Sequence, residues 1–276
     1  MPELPEVERF RRVGIEAGLG HRIVDATVRE DALVLAGCEA DEIAEGLRGR
    51  RLVSVDRKGK YLWWVFDRGP CLLFHFGMTG ALRSNIDAPL ALKTAKSHDL
   101  SWPPARAILF AKFSSEAEVA FISTRRMSRL RWLDDPLLVP PVSALGPDVK
   151  DALPAVRSLQ SLFSSTKGSI KGALLDQHKL AGLGNWMVDE VLFLAKISPR
   201  RKCVTLSLAE CEALRMSITE VVNAAVEAGA DASRFPSEWL FHQRWSATRN
   251  PESLRAGLAL TTVVGRPTIF DPRRQK

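Results

Sequence analysis

The chain is predicted to be an α+β protein: an N-terminal helix with a β-sandwich domain, then a helical domain ending in a β-hairpin. Three observations point there. Short β-rich runs crowd residues 23–133, helical periodicity takes over beyond residue 156, and a proline-rich stretch lies between them. Residues 2–18 open with Pro2 and Pro5 and then place Val7, Phe10, Val13 and Ala17 at near-helical spacing, with Glu6, Arg9, Arg12 and Glu16 between them. This pattern predicts an amphipathic helix. The runs at 52–55, 61–66, 71–76, 107–113 and 119–123 are separated by Gly, Pro and charged turns, as the strands of a sandwich are. The string DDPLLVPPVSALGPDVK at 134–150 removes backbone donors and discourages helix, so it reads as a linker between domains at 1–133 and 151–276. Beyond it, 156–163, 170–177, 185–195 and 208–228 are helical in period, with breaks at Gly168, Gly182, Gly184 and Pro199. The β-branched stretch 258–270 around Gly265-Arg266 predicts a hairpin within a terminal segment of about residues 246–276, its tip carrying the arginine.

Composition narrows the function classes. The 276 residues are 46% hydrophobic with a formal charge of +7, an ordinary globular balance that raises the prior for a polyanionic partner only modestly. No apolar run approaches the roughly 18 residues of a membrane span. Glu3, Glu6 and Glu8 stand where a signal peptide is positive, so neither a membrane nor that export route is expected. Cys38, Cys71, Cys203 and Cys211 show no C-x-x-C spacing, which predicts neither a disulfide framework nor a zinc knuckle and suits a reducing compartment.

The first six residues, MPELPE, carry the most chemistry. A small second residue normally permits removal of the initiator methionine, leaving Pro2 as a free secondary amine that titrates near about 7.7 to 8.0. Such an amine is partly unprotonated at neutral pH and attacks an electrophilic sugar carbon to give an iminium, a task for which lysine needs burial. Glu3 stands beside it for proton transfer, and Glu6 follows one turn later as a supporting carboxylate. A plainer reading stays open, because Pro and Glu are also favoured in first helical turns for capping and dipole reasons.

MPELPEVE resembles the N-terminal signature of the formamidopyrimidine-DNA glycosylase and endonuclease VIII family of base-excision repair enzymes. Further similarities follow in the family's order: KGKYL at 58–62, HFGMTGAL at 75–82, TRRM at 124–127, and GLGNWMVDEVLF at 182–193. The last resembles the family's helix–two-turn–helix motif. The resemblance implies DNA held between the sandwich and the helical domain. It implies Pro2 as nucleophile at C1′ of the damaged nucleotide, Glu3 as general acid/base, and Lys60 as the catalytic-site lysine, whose ammonium stabilises expelled phosphate oxyanions. Phosphate contacts are implied for His75, Asn185 and Arg266, and void-filling roles for Met78, Arg125 and Met127. From the residues alone, Lys60 reads as an exposed strand lysine and His75 as a satisfied core histidine. Asn185 reads as an N-cap that also offers a phosphate seat, and Arg266 as a solvated turn residue.

The chain departs from the family pattern in several places. Met127 stands where a phenylalanine wedge is common, and Ser123-Thr124 where Asp-Pro is frequent. The adjacent Arg125 and Arg126 leave the orphan-base contact open in register, with Arg125 preferred. Arg129 and Arg131 continue the run in alternation with Leu130 and Trp132, which equally describes a solvated strand face. Many members end in a four-cysteine zinc finger, whereas no cysteine follows Cys211 here and the only late histidine is His242. TTVVGRPTIFDPRRQK at 261–276 therefore resembles the zincless finger of plant-type and Nei-like members, and no metal or other cofactor is expected. The stretch 229–245 is shorter than the lesion-capping loop of bacterial 8-oxoguanine enzymes, so 8-oxoguanine is not among the expected substrates. Trp63, Trp64, Trp132 and Trp186 lie in apolar patterns and read as core.

The expected function is a bifunctional DNA glycosylase/AP lyase that removes formamidopyrimidines, hydantoins and oxidised pyrimidines through a Pro2 Schiff base and cleaves by β,δ-elimination. Its expected partner is damaged double-stranded DNA, with bubble and single-stranded contexts admitted, met by a monomer inside the cell: in the nucleus of a eukaryote, or with organelle or nucleoid DNA. The alternative is a non-catalytic damaged-DNA-binding protein of the same fold, against which Pro2, Glu3 and Lys60 argue. A basic RNA or chromatin module gives no reason for the MPE start.

Overall fold

The computed structural model describes residues 2–86, 101–248 and 250–276. The chain divides into two compact units, Met1–Ala144 and Leu145–Lys276.

The first unit begins with helix α1 (Leu4–Gly18), which has Pro5 in its first turn, where a missing N–H costs nothing. Glu6 closes a capping box on Glu3, whose backbone N–H donates to Glu6 Oε2 at 2.9 Å. Leu4, Val7, Phe10, Val13 and Ala17 form the buried stripe. The helix lies close enough to the strands that a β-carbon on Gly18 would sit 2.4 Å from the Phe113 ring. Strand β1 (Ile23–Val28) is followed by two short helices, α2 (Ala32–Leu35) and α3 (Ala40–Leu47), inside a stretch read from sequence as strands alone. The Asp31 carboxylate caps α2 by accepting from the Leu33 and Val34 amides, and Ile43 and Leu47 bury one face of α3.

Seven strands follow: β2 (Leu52–Lys58), β3 (Tyr61–Phe66), β4 (Cys71–His75), β5 (Gly80–Ser84), β6 (Ala107–Phe113), β7 (Glu118–Ser123) and β8 (Arg129–Leu133). They form two four-stranded antiparallel sheets ordered β1-β6-β7-β5 and β2-β3-β4-β8. Their inner faces meet on an aromatic core in which Phe74 lies 5.1 Å from Trp64 and 5.3 Å, edge-on, from Phe121. Trp63 and Trp64 are buried as expected, whereas Trp132 is only half-buried, with the Arg50 guanidinium 4.8 Å from its ring centre. Val142, in the segment after β8, is fully buried; Lys58 Nζ donates to its carbonyl at 3.4 Å, and Arg131 donates to Pro140 at 3.2 Å.

The second unit contains α4 (Val156–Ser164), α5 (Ile170–Leu175), α6 (Asn185–Leu194), α7 (Leu208–Glu227) and α8 (Phe241–Ala247). The helix–two-turn–helix is α5, the turns at 176–184, and α6. Gln177 laces these turns: its Nε2 donates to the Leu175 and Leu183 carbonyls at 2.9 Å, and its Oε1 accepts from the Gly182 amide at 3.0 Å. The sequence pattern does not predict helix α8, which is seven residues long. The segment before it is spent on packing, because Phe235, Trp239 and Leu240 are buried and both rings lie against Trp186. Glu190 of α6 accepts from the Leu240 and Phe241 amides at 3.1 Å, and burial pushes its carboxyl up to about 8. The unit ends in the hairpin β9 (Ala259–Val263) and β10 (Arg266–Phe270). Val264 and Gly265 both have positive φ, 47° and 70°, as a type I′ turn requires. The tip is therefore Val264-Gly265, and Arg266 is the first residue of β10, paired with Val263, rather than a turn residue. Among the described residues no helix is long and apolar enough to cross a membrane.

Candidate nucleic-acid interface and catalytic residues

Pro2 and Glu3 immediately precede α1 and are buried. Burial and the neighbouring Glu3 charge push the Glu6 carboxyl up to about 7. At neutral pH it is therefore divided between its acid and ionised forms one helical turn from Glu3. Lys60 occupies the two-residue turn between β2 and β3, where Gly59 takes φ 58°, the pattern of a II′ hairpin. It is 9% exposed, so it is not the solvated strand lysine that the residue alone suggested. A brace links this turn to α1: Glu8 accepts from Arg57 Nε at 3.1 Å, and Arg57 Nη1 donates to the Gly59 carbonyl at 3.0 Å. Burial alone would raise the Glu8 carboxyl, but hydrogen bonds and charge from Arg11 and Arg57 outweigh it and hold it below the usual range.

His75 ends β4 opposite Tyr61, and the two rings stack with centres 4.7 Å apart. Desolvation, with the charges of Lys60 and Arg129, pushes its imidazole down to about 4. It is thus neutral at physiological pH and able to offer an N–H to a phosphate without carrying charge. Its half-buried position beside two cations separates it from an ordinary core histidine.

The β4–β5 and β7–β8 loops are stitched together. A β-carbon on Gly77, whose φ is 57°, would lie 2.3 Å from the Met127 carbonyl oxygen, so only glycine admits this approach. Thr124 Oγ1 donates to Thr79 Oγ1 at 2.9 Å, and Ser128 Oγ donates to the Phe76 carbonyl at 3.0 Å. The stitching presents Met78 and Met127, 37% and 44% exposed, from two adjoining loops. Arg126 is committed elsewhere, with Nε and Nη2 bidentate on Asp31 at 2.7 and 3.1 Å. Arg125 is exposed and, among the described residues, in no ion pair. This geometry separates two arginines that the sequence left in one register.

In the second unit the N-cap of α6 is Gly184, so Asn185 is the first helical residue and not the cap that its sequence position suggested. Asn185 Nδ2 donates to the Pro267 carbonyl at 3.0 Å, which ties the start of α6 to the strand behind the exposed Arg266. That carbonyl also receives Arg244 Nη2 at 3.1 Å and Lys171 Nζ at 3.4 Å. Asp189 lies between the two cations, 2.5 Å from each, and accepts from the Ile269 amide at 3.3 Å. Lys171 also donates to Thr268 Oγ1 at 2.7 Å. Residues 246–276 contain no cysteine or histidine, and among the described residues no group of three or more His, Cys, Asp or Glu could hold a metal. The hairpin does not fit a zinc ion; the buried Lys171–Asp189–Arg244 cluster fixes it instead. Sequence reading missed this cluster, although its signal was present: Lys171 and the Asp189-Glu190 pair interrupt otherwise apolar helices.

Residues 1–130 match the formamidopyrimidine-DNA glycosylase N-terminal domain, and residues 145–237 match the formamidopyrimidine-DNA glycosylase H2TH domain. The chain is 37% identical to a formamidopyrimidine-DNA glycosylase of Arabidopsis thaliana, over 100% of this chain and 71% of that protein. It is 34% identical to one of Thermomicrobium roseum, over 100% of this chain and 99% of that protein. The fold matches the Lactococcus lactis enzyme crystallised non-covalently bound to AP-site DNA, with TM-score 0.78, 26% identity and 100% of both chains covered. Domains, motifs and fold agree along the chain, which belongs to the formamidopyrimidine-DNA glycosylase family.

Proposed function

We infer that the chain is a bifunctional DNA glycosylase/AP lyase of base-excision repair, acting as a monomer on damaged intracellular DNA. The observation that carries this reading is the buried carboxyl pair Glu3 and Glu6, Glu3 adjoining Pro2 and Glu6 bonded to the Glu3 amide, with Glu6 pushed up to about 7. The Pro2 amine, free once Met1 is removed, attacks C1′; the base departs with the glycosidic electron pair and takes up a proton. Glu3 protonates the deoxyribose ring oxygen as the ring opens to the iminium, and Glu6, half-protonated, resupplies that proton. Loss of a C2′ proton then expels the 3′ phosphate by β-elimination, and δ-elimination expels the 5′ phosphate. Lys60 stabilises the developing oxyanions, and neutral His75 donates an N–H to a backbone phosphate. Asn185 and Arg266 grip phosphates from the second unit. Met78, Arg125 and Met127 fill the gap left by the everted nucleotide, Arg125 rather than Arg126 because the latter is held by Asp31.

The expected substrates are formamidopyrimidines, hydantoins, oxidised pyrimidines and abasic sites. In support of leaving 8-oxoguanine aside, Phe235, Trp239 and Leu240 are packed into the core and leave no long free loop to cap it. A panel of end-labelled duplexes carrying each lesion tests this. Strand cleavage leaving phosphate at both sides of the gap is expected for the named lesions. Binding to every lesion with cleavage of none, by protein whose mass shows Met1 removed, would make the chain a damaged-DNA binder.

A further inference from the structure

The outer face of β3, β4 and β8 carries a pocket of which the proposed function uses only His75. It has a volume of about 240 Å³ and is lined by Tyr61, Leu73, His75, Arg129, Arg131 and Pro141, with Ala36 at its rim. The strand register places Arg129 opposite His75 and Arg131 opposite Leu73, so both guanidinia lie on the face bearing the stacked Tyr61 and His75 rings. Leu130, between them, is buried in the core, which separates this face from the sandwich interior.

Among the described residues these two charges have no acidic partner. Arg129 Nη1 donates to the Ser128 carbonyl at 2.8 Å and Arg131 Nη1 to the Pro140 carbonyl at 3.2 Å; among the described residues neither forms an ion pair. Among the described residues no carboxylate lines the pocket. Elsewhere in the unit Arg22, Arg48, Arg57 and Arg126 each have an acidic partner. Two guanidinia converging on one half-buried cavity repel each other, and an anion between them relieves that repulsion. Leu73 and Pro141 add apolar wall beside the cationic end, matching the sugar carbons that flank a phosphodiester. His75, pushed down to about 4, and Tyr61, whose phenol burial raises, both present neutral donors and add no competing negative charge.

We propose that this pocket holds a backbone phosphodiester of the bound DNA, next along the strand from the phosphate assigned to His75, with Arg129 and Arg131 as its ligands. Residues two apart on a strand face are separated by roughly 6.6 Å, so Arg131 reaches one step beyond the His75–Arg129 pair. The proposal rests on the DNA-glycosylase reading and extends the binding track within the first unit.

The test measures affinity for an abasic-analogue duplex in which each phosphate in turn is replaced by a neutral methylphosphonate, using the parent protein, Arg131→Ala, Arg131→Lys and Arg129→Ala. Because Arg131 also holds the Pro140 carbonyl, thermal melting is followed in parallel, and Arg129→Ala serves as the variant that releases no distant contact. One phosphate is expected whose neutralisation weakens the parent several-fold and leaves Arg131→Ala unchanged, with Arg131→Lys intermediate. The log-log salt slope of each alanine variant should fall by about one unit. Losses that multiply at every phosphate, or an unchanged salt slope, would overturn the proposal. So would saturable binding of deoxycytidine monophosphate in the pocket with no flank phosphate sensed, since the anion would then be a free nucleotide. Failure of the parent to bind lesion duplex at all would instead remove the glycosylase reading.

Discussion

Glu6 illustrates how a single carboxyl serves both fold and chemistry. It caps the Glu3 amide, and burial raises it from 4.5 to about 7. A folded-state pKa above the unfolded value stabilises below pH 4.5, and that stability is lost as the pH rises through 7. The full shift corresponds to about 3 kcal/mol. Glu6→Gln keeps the capping geometry without the titration, so it should melt higher than the parent at pH 8.5 and equally at pH 4; melts that track the parent at both values would remove the titration from Glu6. Met127 makes a different point. A phenylalanine wedge is rigid, whereas methionine loses more rotamer freedom when ordered and holds an opened duplex less firmly. Met127→Phe should therefore raise single-turnover excision from stacked duplex more than from bubbles or pre-formed abasic sites. Equal effects on all three would leave Met127 an ordinary loop residue.

At the scale of elements, the hairpin is held by charge where other folds use a metal. Asp189 joins Lys171 and Arg244 beneath β10, and removing one member of a buried ionic cluster strands the others in low dielectric. Asp189→Ala should cost about 3–5 kcal/mol in chemical denaturation, with the second unit melting first. Loss under 1 kcal/mol, on the order of an exposed pair, would show that the cluster is not what fixes the hairpin. Arg266, carried by that strand, is expected to touch phosphate and not bases. Arg266→Ala should weaken binding similarly across lesions and lower the salt slope by about one unit, whereas a lesion-selective loss at constant slope would make it a base reader.

Across the whole molecule, what was legible in the sequence is what repeats locally. Strand runs, long helices and the glycines flanking the helix–two-turn–helix announce themselves within ten residues, and the N-terminal MPELPE places its proline and carboxyls by adjacency alone. Tertiary pairs left no such trace. Arg126 is withdrawn from the candidate DNA-facing set by Asp31, 95 residues earlier, and the Lys60 turn is braced by an Arg57–Glu8 pair 49 residues apart. Helix α2 was hidden because four residues make barely one turn, whereas α3 did carry a signal, Ala40, Ile43, Ala44 and Leu47 at i, i+3, i+4 and i+7, masked by the strand-rich runs around it; the hairpin tip was misplaced because a β-branched Val264 at positive φ runs against local preference. Pro2 carries the chemistry, and borohydride reduction during reaction with an abasic-site duplex tests its role most directly. Peptide mapping of the trapped complex should locate the DNA adduct on the N-terminal peptide at Pro2 in protein lacking Met1, and retained Met1 should abolish trapping while binding persists. An adduct confined to the Lys60 peptide, or trapping that survives with Met1 in place, would contradict it.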